Sequence, residues 1–216
     1  LIKADLHIHT EYSPDCNTPL ARIIDHCREA GIDCLAIADH NTIEGALKMQ
    51  DIAPFLVIVA EEVLTPHGEI MGMFLKENIP GGLSVAETIS RIRAQGGLVA
   101  IPHPFDRFRH SALDSEITRG LAEQGEIDVI EVFNSRTPLY RSSARAESFA
   151  KKYGIPGSAG SDAHTIQAIG NAYVEMPEFN GREDFLSALA GGTVFGHRTN
   201  PFVHINSVLA KLKSKL

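Results

Sequence analysis

Tryptophan is missing from these 216 residues, aromatics reach only 6%, and there are three cysteines, Cys16, Cys27 and Cys34. An odd number of thiols without paired spacing excludes a disulfide framework and points to a reducing, cytoplasmic compartment. No apolar run approaches the ~20 residues that a membrane span needs. The opening LIKADLHIHT turns polar too early for a signal peptide, and its first residue, Leu1, is compatible with trimming of an earlier start. Apart from the ending KLKSKL the basic residues are scattered, and the net charge is −7. Stable duplex nucleic-acid binding requires a basic face, so that class is disfavoured. A small phosphorylated molecule remains compatible, because metal ions can supply positive charge locally. Walker and dinucleotide glycine spacings are also missing, so Gly68, Gly72, Gly96 and Gly97 are backbone punctuation.

What is present is ordinary globular material, 44% apolar and 22% charged, without repeats or low-complexity linkers. One domain spanning residues 1–216 is the simplest organisation. Short apolar runs alternate with helical patterns. Strands are predicted over 2–6, 34–38, 56–60, 70–75, 98–101, 129–133, 155–159 and 172–175, with 193–195 strand-like. Thr18 is the expected cap of a first helix with Pro19 at its first position and Gly31 as its stop. A second helical stretch covers 43–50. Ser84 and Glu87 form a capping box ahead of a third. Further helices cover 140–153 and 184–190.

Repeated β-then-α units imply a parallel sheet, either open or closed. The polar residues favour closure. His7 and His9, Asp39-His40, Glu61-Glu62, His103, Asn134 and Asp162/His164 each fall at or just beyond a predicted strand end. Six strands donating to one edge is how a (β/α) barrel builds a site at its C-terminal face, whereas an open sheet concentrates function at one crevice. In His7-Ile8-His9 and in Asp162-Ala163-His164, alternation turns residues i and i+2 to one side, so that imidazole and carboxylate converge. These are common ligands for zinc, manganese and iron. A single such motif carries little information; their combination at strand ends carries much more.

The motifs DLHIHTEYSPD, AIADHNTIEG, VAEEV, IPHPFD, EVFNSR and GSDAH occur in the order found in the PHP (polymerase and histidinol phosphatase) superfamily. The chain resembles its short stand-alone phosphoesterases over about residues 4–200. The resemblance implies a distorted seven-stranded, TIM-like (β/α) barrel in a single domain. It also implies two or three divalent ions (Zn, Mn or Fe) and phosphoester hydrolysis, with Glu62, His9 and Asp162 as candidate catalytic residues. It assigns His7, His9, Asp162 and a bridging Glu62 to one metal. Glu62, His103 and Asn134 go to a second, and Asp15, His40 and His164 to a third. Asn134 stands where some relatives carry His, which implies a looser second site. Asp15 likewise replaces His in some relatives and shifts the third site toward harder cations. Such ions lower the pKa of bound water to about 7 and neutralise phosphoryl charge, so no Ser or Cys nucleophile is needed.

Glu61, Asp5 and Asp39 are expected as supporting partners, Asp39 by orienting His40. Arg136, His197 and Arg198 are the candidate substrate contacts, since a guanidinium fork suits phosphate. Arg107 and Arg109 are loop cations with weaker claims. His26, His110 and His204 read as surface residues, His67 as part of a turn, and Cys16 as loop packing. Two other functions fit less well. One is an amidohydrolase acting on C–N bonds, for which no bridging lysine follows a strand end. The other is a non-catalytic metal-stabilised binding module, against which the full ligand complement argues.

Overall fold

The computed structural model describes residues 1–198; the basic ending and His204 lie outside the described residues. Among the described residues, nine strands form one sheet. They are β1 (Ile2–Ile8), β2 (Cys34–Ile37), β3 (Leu56–Thr65), β4 (Gly68–Met73), β5 (Leu98–Ile101), β6 (Val129–Asn134), β7 (Gly157–Gly160), β8 (Ala172–Met176) and β9 (Thr193–Gly196). Six described α-helices accompany them: α1 (Leu20–Ala30), α2 (Glu44–Ile52), α3 (Val85–Ala94), α4 (Ser115–Glu123), α5 (Tyr140–Tyr153) and α6 (Arg182–Ala190). The strand order is β7-β6-β5-β4-β3-β2-β1-β8-β9. The sheet nearly closes on itself. Past β7, Asp162 N–H donates to His7 O at 2.7 Å and His9 N–H to Ala163 O at 3.0 Å.

The described sheet has nine strands against the seven expected of the barrel, with β8 and β9 lying outside the β7–β1 closure, and it is mixed. β4 pairs antiparallel with both β3 and β5. Only Pro66 and His67 separate β3 from β4, too few for a crossover helix, so the chain must reverse as a hairpin. β8 and β9 are also antiparallel, added along the N-terminal half of β1. Helix α4 was not anticipated, although Asp114 accepts from Glu116 and Ile117 N–H and Gly125 follows at φ 72°. Thr18 is not the cap of α1: its hydroxyl donates to His164 O, and Glu11 Oε1 accepts Leu20 N–H instead. Ser84 does cap α3, accepting from Glu87 N–H at 3.2 Å, and Gly31 and Gly154 end α1 and α5 in the left-handed conformation.

Two apolar clusters flank the sheet. Leu35, Ile37, Val59, Val99 and Ile101 pack outward against Ile23, Met49 and Ile92 of the helices. The other face alternates small residues such as Ala4, Ala36, Ala60, Ala100 and Ala159 with larger ones such as Ile58, Met73 and Leu98, and Phe185 of α6 packs in the same cluster. Two register shifts re-aim side chains toward the site. Between Asp5 and Ile8, β1 spends one residue more than β2, so Leu6 stays with the inner cluster while Ile8 joins the outer one. A second lies in β6 between Glu131 and Phe133. Such bulges locally break the two-residue alternation.

Candidate metal centre

Strands β1 to β7 and the loops that follow them bring polar residues to one rim. His7 and His9 leave β1 with their Nε2 atoms 3.2 Å apart. Glu62 Oε2 lies 3.3 Å from each of these nitrogens and 3.4 Å from His40 Nδ1. Asp162 Oδ1 is 3.4 Å from His9 Nε2. Asp15 Oδ2 stands 3.0 Å from His164 Nε2 and 3.5 Å from His40 Nε2. His103 Nε2 is 2.9 Å from Glu62 Oε1. Among the described residues, three donor groups each gather within 4.8 Å: His9, Asp15, His40 and His164; His7, His9 and Asp162; and His40, Glu62 and Glu69.

Sequence reasoning passed over Glu69 and Glu131 and ranked Arg109 below Arg136. Glu69, at the start of antiparallel β4, has Oε2 3.3 Å from His103 Nε2 and Oε1 3.5 Å from His40 Nδ1. Its signal was its place two residues before inward-facing Met71. Glu131 accepts His103 N–H at 2.6 Å and contacts His7 Nδ1 at 3.0 Å. That contact leaves His7 Nε2 turned to the cluster. Arg109, from the loop after β5, donates to Asp162 Oδ2 at 2.5 Å, and Arg136 donates to Asp162 Oδ1 at 3.2 Å. Arg107 is exposed.

The supporting carboxylates have separate tasks. Asp5 accepts Ser161 N–H at 2.8 Å, Ser161 O–H at 2.5 Å and Gly170 N–H at 2.9 Å, anchoring the turn that carries Asp162. Asp39 holds Thr10 rather than the ring of His40, accepting its N–H and O–H at 2.6 Å each. Glu61 faces away and accepts Ile79 N–H at 3.0 Å. Cys16 is packed between the motifs, its thiol donating to His9 O and His164 O. His26 is half-buried on Ile169 O, while His67 and His110 are exposed.

Asn134 is oriented by its neighbours. Its amide nitrogen donates to Glu131 Oε2 at 3.0 Å and Asp162 Oδ2 at 3.1 Å, and its oxygen accepts Arg136 N–H at 2.9 Å. His197 and Arg198 do not line the cleft above the cluster. Arg198 donates to Thr137 O at 2.9 Å and its guanidinium sits 5.0 Å from the Tyr140 ring, in a separate cavity of about 700 Å³. His197, exposed, is tied by its N–H to Asn171 O. The cleft at the cluster is smaller, about 370 Å³, lined by Asp15, His40, Glu69, Arg109, Arg136 and His164 among others.

Burial and charge oppose each other here. Burial alone would lower the pKa of His7, but Glu62, Glu131 and Asp162 outweigh it and hold the imidazole well above its ordinary range. Burial would raise the carboxyl of Asp162, yet Arg109, Arg136 and His7 keep it well below. His164, buried and facing His9 and Arg136, is pushed down to about 4. Both His103 (φ 31°) and Asp162 (φ 53°) adopt left-handed backbone, a strain of about 1–3 kcal/mol each that surrounding hydrogen bonds must hold.

The donor set fits divalent cations. Glu62 Oε2 and Glu69 Oε2 are buried without a hydrogen-bond partner, as are Nδ1 of His9 and His103. Imidazole and carboxylate are the donors that zinc, manganese and iron prefer, and unpaired buried carboxylate oxygens are costly without a cation.

Barrel and cluster together define a class, the α/β proteins that gather metal-binding side chains at one rim. The chain belongs to the PHP family: residues 5–58 match the PHP domain and 141–194 the PHP-associated region. It is 36% identical over 183 residues to an uncharacterised protein of Methanocaldococcus jannaschii, covering 83% of this chain and 72% of that one. A two-domain protein of Bacteroides vulgatus, containing a predicted PHP-like metal-dependent phosphoesterase, superposes with TM-score 0.73 at 18% identity. The match covers 91% of this chain and 65% of that one, so this chain spans under two thirds of it. An amidohydrolase from Chromobacterium violaceum, solved with bound sulfate, superposes with TM-score 0.63 at 16% identity over 88% of this chain and 97% of that one. At such identities the structural likeness speaks to the fold.

Proposed function

We propose that the chain, as one PHP-like domain of residues 1–216, hydrolyses phosphoesters of a small phosphorylated metabolite or nucleotide with two or three divalent cations. The observation that carries this is the convergence of His7, His9, Asp15, His40, Glu62, His103, Asp162 and His164 on one rim, with two arginines beside them. His7, His9, Asp162 and bridging Glu62 would hold one cation. Glu62 and His103 would serve a second, and Asp15, His40 and His164 a third. Bound zinc, manganese or iron would supply Lewis-acid chemistry, making water acidic and offsetting charge on phosphoryl oxygens. Glu131 keeps His7 in the tautomer whose Nε2 faces the cluster. Arg109 and Arg136 present guanidinium forks at the same carboxylate, and such forks match phosphate oxygens.

A cleft of about 370 Å³ with exposed Phe108 at its edge suits a small organic monoester better than a polymer. Three separate, buried, unpaired thiols support a reducing location such as the cytoplasm, and no described helix is long and apolar enough to cross a membrane. Phosphate and amide substrates assayed side by side test the chemistry. Phosphate release that disappears in Glu62→Ala and His9→Ala is expected. Amide cleavage without phosphate release would favour the C–N alternative, and partner binding that survives both substitutions without any turnover would favour a binding module.

A further inference from the structure

We infer that Glu69, rather than Asn134, completes the donor shell of the second cation, beside Glu62 and His103. This rests on the metal-binding reading above and deepens it. Two side chains compete for that position, and their hydrogen bonding separates them. Asparagine can ligate a cation only through its carbonyl oxygen. In Asn134 that oxygen accepts Arg136 N–H, while the amide nitrogen faces the carboxylates of Glu131 and Asp162. Turning the amide over would set its oxygen against two carboxylate oxygens and leave its nitrogen against the Arg136 N–H, losing all three hydrogen bonds. The orientation is thus fixed by both ends, and Asn134 acts as a donor that aligns Glu131 and Asp162.

Glu69 has the opposite character. It is buried, its Oε2 has no hydrogen-bond partner, and that atom lies 3.3 Å from His103 Nε2. Glu62 Oε1 lies 2.9 Å from the same nitrogen. Donor atoms 2.0–2.2 Å from one ion are themselves about 3.0–3.5 Å apart, so His103, Glu62 and Glu69 have ligand-like spacing. The other oxygen of Glu69 faces His40 Nδ1 at 3.5 Å while His40 Nε2 faces Asp15. One carboxylate therefore serves the second position and steadies an imidazole of the third. The hairpin makes this possible: because β4 runs antiparallel to β3, its first residues reach the rim that the parallel strands reach with their last. A carboxylate in place of a neutral amide also turns the second position toward hard cations such as manganese.

The test is Mn2+ titration into chelator-stripped full-length protein by calorimetry, with elemental analysis after dialysis and a thermal melt of each variant. Glu69→Gln, nearly isosteric, is expected to bind one equivalent fewer than the unaltered chain while melting within a few degrees of it. Asn134→Ala is expected to keep the full number of equivalents, with affinity weakened no more than the roughly 10–100-fold of an orienting partner. Should Glu69→Gln misfold, Glu69→His serves instead, restoring the lost equivalent with Zn2+ favoured over Mn2+. A full complement in Glu69→Gln, an equivalent lost in Asn134→Ala, or a folded Glu69→His that binds one equivalent fewer, overturns the assignment. An unaltered chain that binds no metal overturns instead the metal-binding reading on which it stands.

Discussion

At the scale of single residues, the site is held by side chains that never face the cleft. Asp5 receives three hydrogen bonds from Ser161 and Gly170, and burial raises its carboxyl to about 6. Asp5→Ala removes the acceptor of four donors, Ser161 N–H and O–H, His7 N–H and the part-buried Gly170 N–H, a loss of about 3 kcal/mol or more in urea unfolding, and it should loosen cation binding through Asp162. A destabilisation below 1 kcal/mol would show that this network does not anchor the turn. Burial also pushes the Cys27 thiol up to about 12 and Cys34 higher still. Both thiols should therefore resist a disulfide reagent at pH 8 and react only on unfolding, since the thiolate is the reactive form. Rapid labelling of the folded protein would contradict their burial. The rim histidines and Asp162 were legible because each stands at a strand end inside a recurring motif. Glu69 and Glu131 were not, and Arg109 was named only with a weaker claim, because each is a single residue whose direction depends on a hairpin, a bulge or a loop path.

At the scale of elements, the decisive junction is between β1 and the end of β7. A Cβ on Gly160 would collide with the His7 Cβ and crowd Glu131 Oε1. Gly160→Ala should therefore cost about 1–3 kcal/mol as an overpacked site, and should weaken cation binding as well. Gly120, inside α4 with open space around it, offers the contrast. Gly120→Ala should stabilise by about 0.5–1 kcal/mol through helix propensity alone. Denaturant midpoints measure both, and a neutral Gly160→Ala would mean that the closure tolerates widening. The strands and most helices were readable from apolar periodicity and caps. Their order in the sheet was not, because local pattern does not say that β7 closes onto β1 or that β8 and β9 extend one edge. Helix α4 escaped notice beyond a long irregular loop, despite its Asp114 cap.

At the scale of the whole molecule, the cluster concentrates Asp15, Glu62, Glu69 and Asp162 at one rim of a chain with net charge −7. A cation that binds only the folded state stabilises it by about 2.7 kcal/mol at 100 times its dissociation constant. Chelator-stripped protein should therefore melt lower than protein with Mn2+ or Zn2+ restored, and the difference should shrink in Glu62→Ala. The measurement that bears most directly on the account is phosphate release from a panel of phosphorylated metabolites, using stripped protein before and after these ions are returned. The account predicts negligible release without metal and substantial release of inorganic phosphate from at least one small monoester with it. Full activity in stripped protein, or no release from any substrate by metal-loaded protein, would contradict it.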